Sequence, residues 1–85
     1  MFYTYALYDK TEKIFYIGST NDLKRRVAEH NSGKTQTTSK MHDKALVYYE
    51  ACLTKQDAVE REQQLKTGFG RGYLKRRLKH NLMLP

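Results

Sequence analysis

The chain has one cysteine, one proline and no long apolar run, and each scarcity removes a class of protein. A lone Cys52 cannot form an internal disulfide, and no Cys/His cluster is spaced for a structural zinc site. Pro85 is the only proline, so nothing punctuates the chain as a domain boundary, and no internal repeat divides it. No stretch approaches the roughly 20 apolar residues of a membrane span. The N-terminus (Met1-Phe2-Tyr3-Thr4-Tyr5) lacks the charged-then-apolar layout of a signal peptide. The expectation is one soluble domain over residues 1–85, placed in the reducing cytoplasm. At 85 residues it lies near the lower end of chains that fold unaided, and a 39% hydrophobic content supplies a small core.

Acidic residues are the other shortage, nine against sixteen Lys and Arg, for a net charge of +7. The excess is uneven. Residues 61–85 hold seven basic residues and a single acid, Glu62, whereas residues 1–60 are nearly balanced. A basic end of this kind attracts polyanions, nucleic acid ahead of an anionic membrane surface. The plainer alternative is a solvated face that keeps the protein soluble.

What is abundant is tyrosine, seven in all, concentrated with β-branched residues in short runs. Residues 2–8 and 14–17 read as two strands of a hairpin around the polar segment Asp9-Lys10-Thr11-Glu12-Lys13, with Gly18 stopping the second strand. Ser19, with Asp22 three residues on, reads as the N-cap of a helix from Leu23 to about His30. Residues 34–43 have no apolar period and read as a loop. Residues 45–51 form a third strand, and Thr54 with Asp57 caps a second helix to about Lys66. Gly68, Gly70 and Gly72 interrupt helix signals, and a third helix follows with Leu74, Leu78 and Leu82 four apart. The order ββαβαα predicts an α+β domain, a small three-stranded antiparallel sheet flanked by helices.

Two helices carry polar groups where the period calls for apolar ones. On the first, Arg26 and His30 border the stripe marked by Leu23 and Val27. On the second, Ala58, Val59 and Leu65 define the apolar face, and Glu62 falls within it. A carboxylate there is unfavourable unless a cation or donors satisfy it. Either Glu62 is half of an ion pair between helices, with Arg26 as its partner, or it is a metal-binding carboxylate beside a phosphate-binding Arg. Tyr3, Tyr5 and Leu7 share one face of the first strand, and Ile14 and Tyr16 one face of the second. Taken singly, such tyrosines are core residues with a hydroxyl aimed at water or a carbonyl. His30, His42 and His80 have no spacing suited to a shared metal. The run Gly68-Phe69-Gly70-Arg71-Gly72 follows a helix rather than a strand, so it is no phosphate-cradling or dinucleotide-binding turn, and no small-molecule cofactor is expected.

The segment Tyr16-Ile17-Gly18 through Arg26 to His30 resembles the GIY-YIG nuclease superfamily, which places an Arg eight residues beyond the Gly and a His four further on. Leu46-Val47-Tyr48-Tyr49-Glu50 and Arg61-Glu62-Gln63-Gln64-Leu65-Lys66 are similar to its small single-domain bacterial branch, and the likeness covers about residues 2–79. The resemblance implies catalytic roles for Tyr5, Tyr16, Arg26, His30 and Glu62, with Glu62 holding Mg²⁺ or another divalent cation. Tyr3-Thr4-Tyr5 stands where the first motif has Gly-Ile-Tyr, keeping only the Tyr, and Asn81 is the only Asn where many members carry one near the domain end. In the chemistry this implies, Tyr5 is the base, its phenol lowered from about 10 by Arg26 and the metal. Tyr16 orients water or phosphate, Arg26 neutralises developing charge, and His30 assists proton movement or contacts phosphate.

The leading expectation is therefore a Mg²⁺-dependent DNA endonuclease, with Arg71, Arg76, Lys75 and Lys79 on the third helix holding the phosphate backbone. A nucleic-acid-binding module of the same fold that cleaves poorly or not at all is the main alternative. A basic membrane anchor fits less well, because Leu74, Leu78 and Leu82 serve better as core. The five polar positions favour an enzyme, since a pure binder needs no carboxylate facing a basic cleft, and they should converge on one concave surface. Neutralising Arg71, Lys75 and Lys79 together should weaken DNA affinity. It should also flatten the salt dependence by a log–log slope of about 0.9 per lost phosphate contact on duplex DNA. Fluorescence anisotropy across a salt series reads this directly, and an unchanged slope would leave the basic end as a solvated face.

Overall fold

The computed structural model of the chain describes residues 1–33 and 44–81. The loop expected over 34–43, with His42, and the Leu82 position of the third helix lie outside the described residues. The elements are β1 (Phe2–Asp9), β2 (Ile14–Thr20), α1 (Leu23–Asn31), β3 (Lys44–Cys52), α2 (Lys55–Leu65) and α3 (Gly68–Arg77). This is the expected ββαβαα order, an α+β fold on an antiparallel three-stranded sheet. Among the described residues no helix is long and apolar enough to cross a membrane.

β1 is the middle strand, in the order β2-β1-β3. A strand covered on both faces has no wet side, which is why β1 reads as a continuous aromatic and apolar run and is buried from Thr4 through Asp9. Its polar members are satisfied. Thr4 Oγ1 donates to the Ala58 carbonyl at 2.7 Å, and Asp9 Oδ1 accepts from the Thr11 and Glu12 N–H groups, closing the turn into β2. Side-chain parity divides the rest. Ala6, with Ile17 of β2, packs against Leu65 of α2 and Leu74 of α3 to form the core, bordered by Phe15, Val47, Tyr48, Tyr73 and Leu78. Tyr3, Tyr5 and Leu7 face the other way, toward α1. The β1–β3 ladder shifts register between Ala6 and Leu7, leaving Val47 as the extra residue of β3.

Four boundaries differ from those read in the sequence. Gly18 does not stop β2; Gly18, Ser19 and Thr20 continue the ladder opposite Tyr5, Thr4 and Tyr3. The cap of α1 moves accordingly from Ser19 to Asp22, whose Oδ1 accepts from the Arg25 N–H at 3.2 Å. Val59 is exposed, so the buried face of α2 is Ala58 and Leu65, while its Thr54 cap stands as expected. The glycines do not interrupt the third helix: α3 starts at Gly68, with Thr67 Oγ1 accepting from the Gly70 N–H at 3.1 Å. It ends at Arg77, so Lys79 lies in the turn beyond it and shares no helical face with Arg71 and Lys75.

The reason a helix tolerates Gly70 is tertiary. A Cβ there would run into the Leu65 backbone, so α3 crosses the end of α2 at a distance only glycine permits. Gly70→Ala should therefore destabilise the fold by about 1–3 kcal/mol through overpacking, although Ala gains about 1 kcal/mol in helix propensity. Gly72→Ala meets only the far end of Arg76 at 3.3 Å and should be neutral or stabilising. Urea denaturation of the two variants tests this, and equal effects would refute the close-approach account.

Candidate active site

Tyr5 sits in the middle of β1, fully buried, opposite Gly18 of β2. Its ring lies across that glycine, so a Cβ at Gly18 would stand 2.5 Å from the phenol oxygen. Gly18 thus makes room for the tyrosine. The phenol oxygen and His30 Nε2 are 2.8 Å apart, and the Arg26 guanidinium is near enough to favour the charged form of the same phenol. With the phenol donating to Nε2, a neutral imidazole carries its own proton on Nδ1. No buried side-chain N or O among the described residues lacks a partner, in keeping with this assignment.

α1 supplies Arg26 and His30 four residues apart, hence one above the other on the face turned to the sheet. Tyr16, two residues before Gly18, completes the group: its ring centroid is 4.9 Å from that of His30 and 6.4 Å from that of Tyr5. Arg26 Nη1 donates to Glu29 Oε1 at 3.2 Å, which steadies the guanidinium. Three of the five expected residues, Tyr5, Tyr16 and His30, are therefore packed together, with the Arg26 charge acting on the Tyr5 phenol and the His30 imidazole. Glu62 reaches the group electrostatically, its charge opposing ionisation of the Tyr5 phenol. Its carboxylate, 16% exposed, is held by Lys66 Nζ at 2.7 Å. The ion-pair alternative thus has a partner other than the Arg26 expected for it.

Burial, Tyr16 and Glu62 together push the Tyr5 phenol up to about 12, with Arg26 offsetting part of the rise. The expected lowering counted on a bound metal as well as Arg26, and the guanidinium alone does not supply it. Burial also lowers the His30 imidazole, helped by the charges of Arg26 and Lys44 and opposed by Glu29, so His30 is neutral near pH 7.

The basic residues divide. Arg71 lines a recess of about 290 Å³ with Tyr16, Ile17, Phe15, Leu65 and Lys66, directly beside the ring cluster. Lys75 and Arg76 lie in the last turn of α3, where they also complement its C-terminal dipole, and Lys79 lies past it. A metal would find no cage: among the described residues no three His, Cys, Asp or Glu are grouped. One half-sheltered carboxylate is nevertheless the donor set that suits Mg²⁺, which keeps several waters and takes one or two protein carboxylates.

A second polar system escaped the sequence reading. On the face opposite Tyr5, Glu50 Oε2 accepts from the Tyr48 hydroxyl at 2.8 Å and from Arg61 Nε at 2.9 Å. The Tyr73 hydroxyl lies 3.1 Å from that of Tyr48, and Arg61 stacks over the Tyr73 ring at 5.2 Å. Burial and its hydrogen-bonding partners drive the Tyr48 phenol well above its usual range. The group ties β3 to α2 and α3 and fixes the rotation of α2 one residue before Glu62. The spacing of Tyr48 and Glu50 hinted at a shared strand face, but nothing in the sequence pointed from there to Tyr73.

The GIY-YIG catalytic domain matches residues 1–79, and the chain belongs to that family of nucleases. It is 40% identical over 53 residues to a UPF0213 protein of Bacillus pumilus, covering 61% of this chain and 54% of that protein. A UPF0213 protein of Staphylococcus epidermidis is 40% identical over 53 residues, 61% of this chain and 65% of the relative. One of Streptococcus pyogenes serotype M5 is 38% identical over 65 residues, 75% and 70%. The first two matches thus span between about half and two thirds of the relatives' length. No solved structure matches.

The Tyr5 environment makes a stability prediction. A phenol with a folded pKa near 12 and an unfolded one near 10 is favoured neutral in the fold. That contribution is complete below pH 10 and is lost as pH rises toward 12. Urea denaturation of wild type and Tyr5→Phe should show their stability difference shifting against wild type over this window, by on the order of 2 kcal/mol. A difference independent of pH would mean that Tyr5 is not held neutral.

Proposed function

We propose that the chain is a Mg²⁺-dependent endonuclease that hydrolyses DNA phosphodiester bonds in the cytoplasm, with Tyr5, Tyr16, Arg26, His30 and Glu62 as its working residues. The observation that carries this reading is the buried Tyr5–His30 hydrogen bond, with Tyr16 packed against it and the partly exposed Arg26 guanidinium beside the phenol. Burying a phenol and an imidazole together beside a guanidinium is costly, and titratable groups shifted by burial and by each other are the mark of a site built for chemistry.

Arg26 grips the phosphate and the charge that develops on it. Tyr5, too weakly acidic at rest to supply a phenolate, acts as a relay: it accepts a proton from the attacking water as its own passes to His30 Nε2. His30, neutral and hydrogen-bonded to that phenol, is the proton's destination. Tyr16 orients the water or the phosphate from beside the His30 ring. Glu62 would hold the divalent cation, which when bound stabilises charge on the phosphate and the departing oxygen. Arg71, beside Tyr16, and Lys75, Arg76 and Lys79 further along hold the DNA backbone without reading bases.

A second reading has its own support. The raised Tyr5 phenol and the Lys66 ammonium on Glu62 favour a module that binds DNA and cleaves poorly. Glu62→Gln separates the two. In the nuclease reading, Mg²⁺-dependent cleavage of labelled DNA falls by orders of magnitude, because the metal's charge stabilisation is worth several kcal/mol. DNA affinity stays level or rises, and stability barely falls or increases, because Gln relieves a sheltered carboxylate and leaves behind only a half-exposed Lys66. A Glu62→Gln protein that cuts as wild type does would remove Glu62 from the site.

A further inference from the structure

Beyond the catalytic cluster, the α1-facing side of the sheet carries a second aromatic group that the hydrolysis does not use. Tyr49 of β3 is the direct cross-strand partner of Tyr5, yet 55% of its surface is exposed. Tyr3 sits diagonally across from it on β1, and the two rings meet edge-on, centroids 6.1 Å apart at 65°. An edge-on contact can cover at most one face of the Tyr49 ring, so a flat face remains clear of Tyr3 for a ligand. Tyr3 and Tyr49 line a recess of about 370 Å³ with Asn21, Asp22, Leu23 and Lys24, in the size range of small-ligand sites. Lys24 brings positive charge to its rim. The one acid there, Asp22, is engaged, capping α1 through the Arg25 N–H and pairing with Arg25 Nε at 3.7 Å.

A rigid exposed tyrosine face, an ammonium for a phosphate and an amide for a base edge form a nucleotide-sized set of contacts. They stand one residue pair from Tyr5. In a duplex the base faces are covered by their neighbours and cannot lie on a side chain, so the occupant is an unpaired base. We propose that Tyr49, braced by Tyr3, is the stacking platform for an unpaired nucleobase of a single-stranded DNA segment adjoining the scissile phosphate, with Lys24 on the neighbouring phosphate. The inference rests on the DNA reading above and adds to it a preference for substrates with unpaired nucleotides.

The test measures binding in EDTA, so that it is independent of cleavage. Labelled twelve-nucleotide oligo-dT, the same strand lacking all bases, and a blunt hairpin duplex are titrated with wild type, Tyr49→Phe and Tyr49→Ala. Tyr49→Ala should weaken oligo-dT binding about 5- to 150-fold, the range for loss of one base–aromatic stack. Tyr49→Phe should stay within about twofold, and the abasic strand and duplex should bind all three proteins alike. Tyr49 is exposed, and Tyr49→Phe controls for packing against Tyr3. Equal losses on every probe, no loss on oligo-dT, or a change in oligomeric state in place of a binding change would each overturn the proposal. If Tyr49-dependent binding persists in a protein that cleaves no DNA form with Mg²⁺, the nuclease reading fails and the stacking site stands. If cleavage proceeds while Tyr49→Ala binds oligo-dT normally, the stacking site fails alone.

Discussion

The contact on which this small protein turns is the hydrogen bond between the Tyr5 phenol and His30 Nε2, made possible by the absence of a side chain at Gly18. His30 is the one fully buried residue of α1; Leu23 and Val27 are only partly covered. A helix so weakly amphipathic would be poorly held by apolar burial. Here it is held by an imidazole wedged among two tyrosine rings and hydrogen-bonded to one of them. The groups proposed to act on a phosphate are the same groups that dock α1 to the sheet, so stability and site are parts of one arrangement.

The far side of the sheet works differently. Ala6, Ile17, Leu65 and Leu74 form a dry core, and the Tyr48–Glu50–Arg61–Tyr73 group closes its β3 flank. Glu50 accepts two hydrogen bonds, the one from Arg61 also an ion pair, so its partial burial is compensated. Because Arg61 precedes Glu62, this brace also sets the azimuth of α2. A carboxylate on a short helix is thereby aimed by a network it does not belong to.

Much of this was legible beforehand because the signals were local. Thr54 with Asp57 is a cap wherever it occurs, and the polar segment after Asp9 separates two aromatic runs that pair as a hairpin. The off-pattern Arg26, His30 and Glu62 were conspicuous because helical period leaves them no apolar excuse. What was misread depended on partners distant in sequence. Gly18 and Gly70 were taken as breakers, yet each is a close-approach site whose reason is another element, the Tyr5 ring in one case and the Leu65 backbone in the other. The lowering expected of the Tyr5 phenol counted on Arg26 and a metal together; the burial that outweighs Arg26 alone is not visible in the sequence.

β1 has a property that follows from its central place and its two kinds of neighbour. Reading along it, every second side chain belongs to a different trade: Thr4 and Ala6 serve the helices beneath, Tyr3, Tyr5 and Leu7 the α1 side above. The strand is a two-track ribbon whose tracks are interleaved at single-residue spacing, so its spelling has no slack. Sliding it by one place against its neighbours would drive the tyrosines into the core and turn Ala6 toward α1. The one extra residue along this seam, Val47, is accordingly carried by β3, and the eight residues of β1 form a word in which letters can be exchanged but none added or dropped.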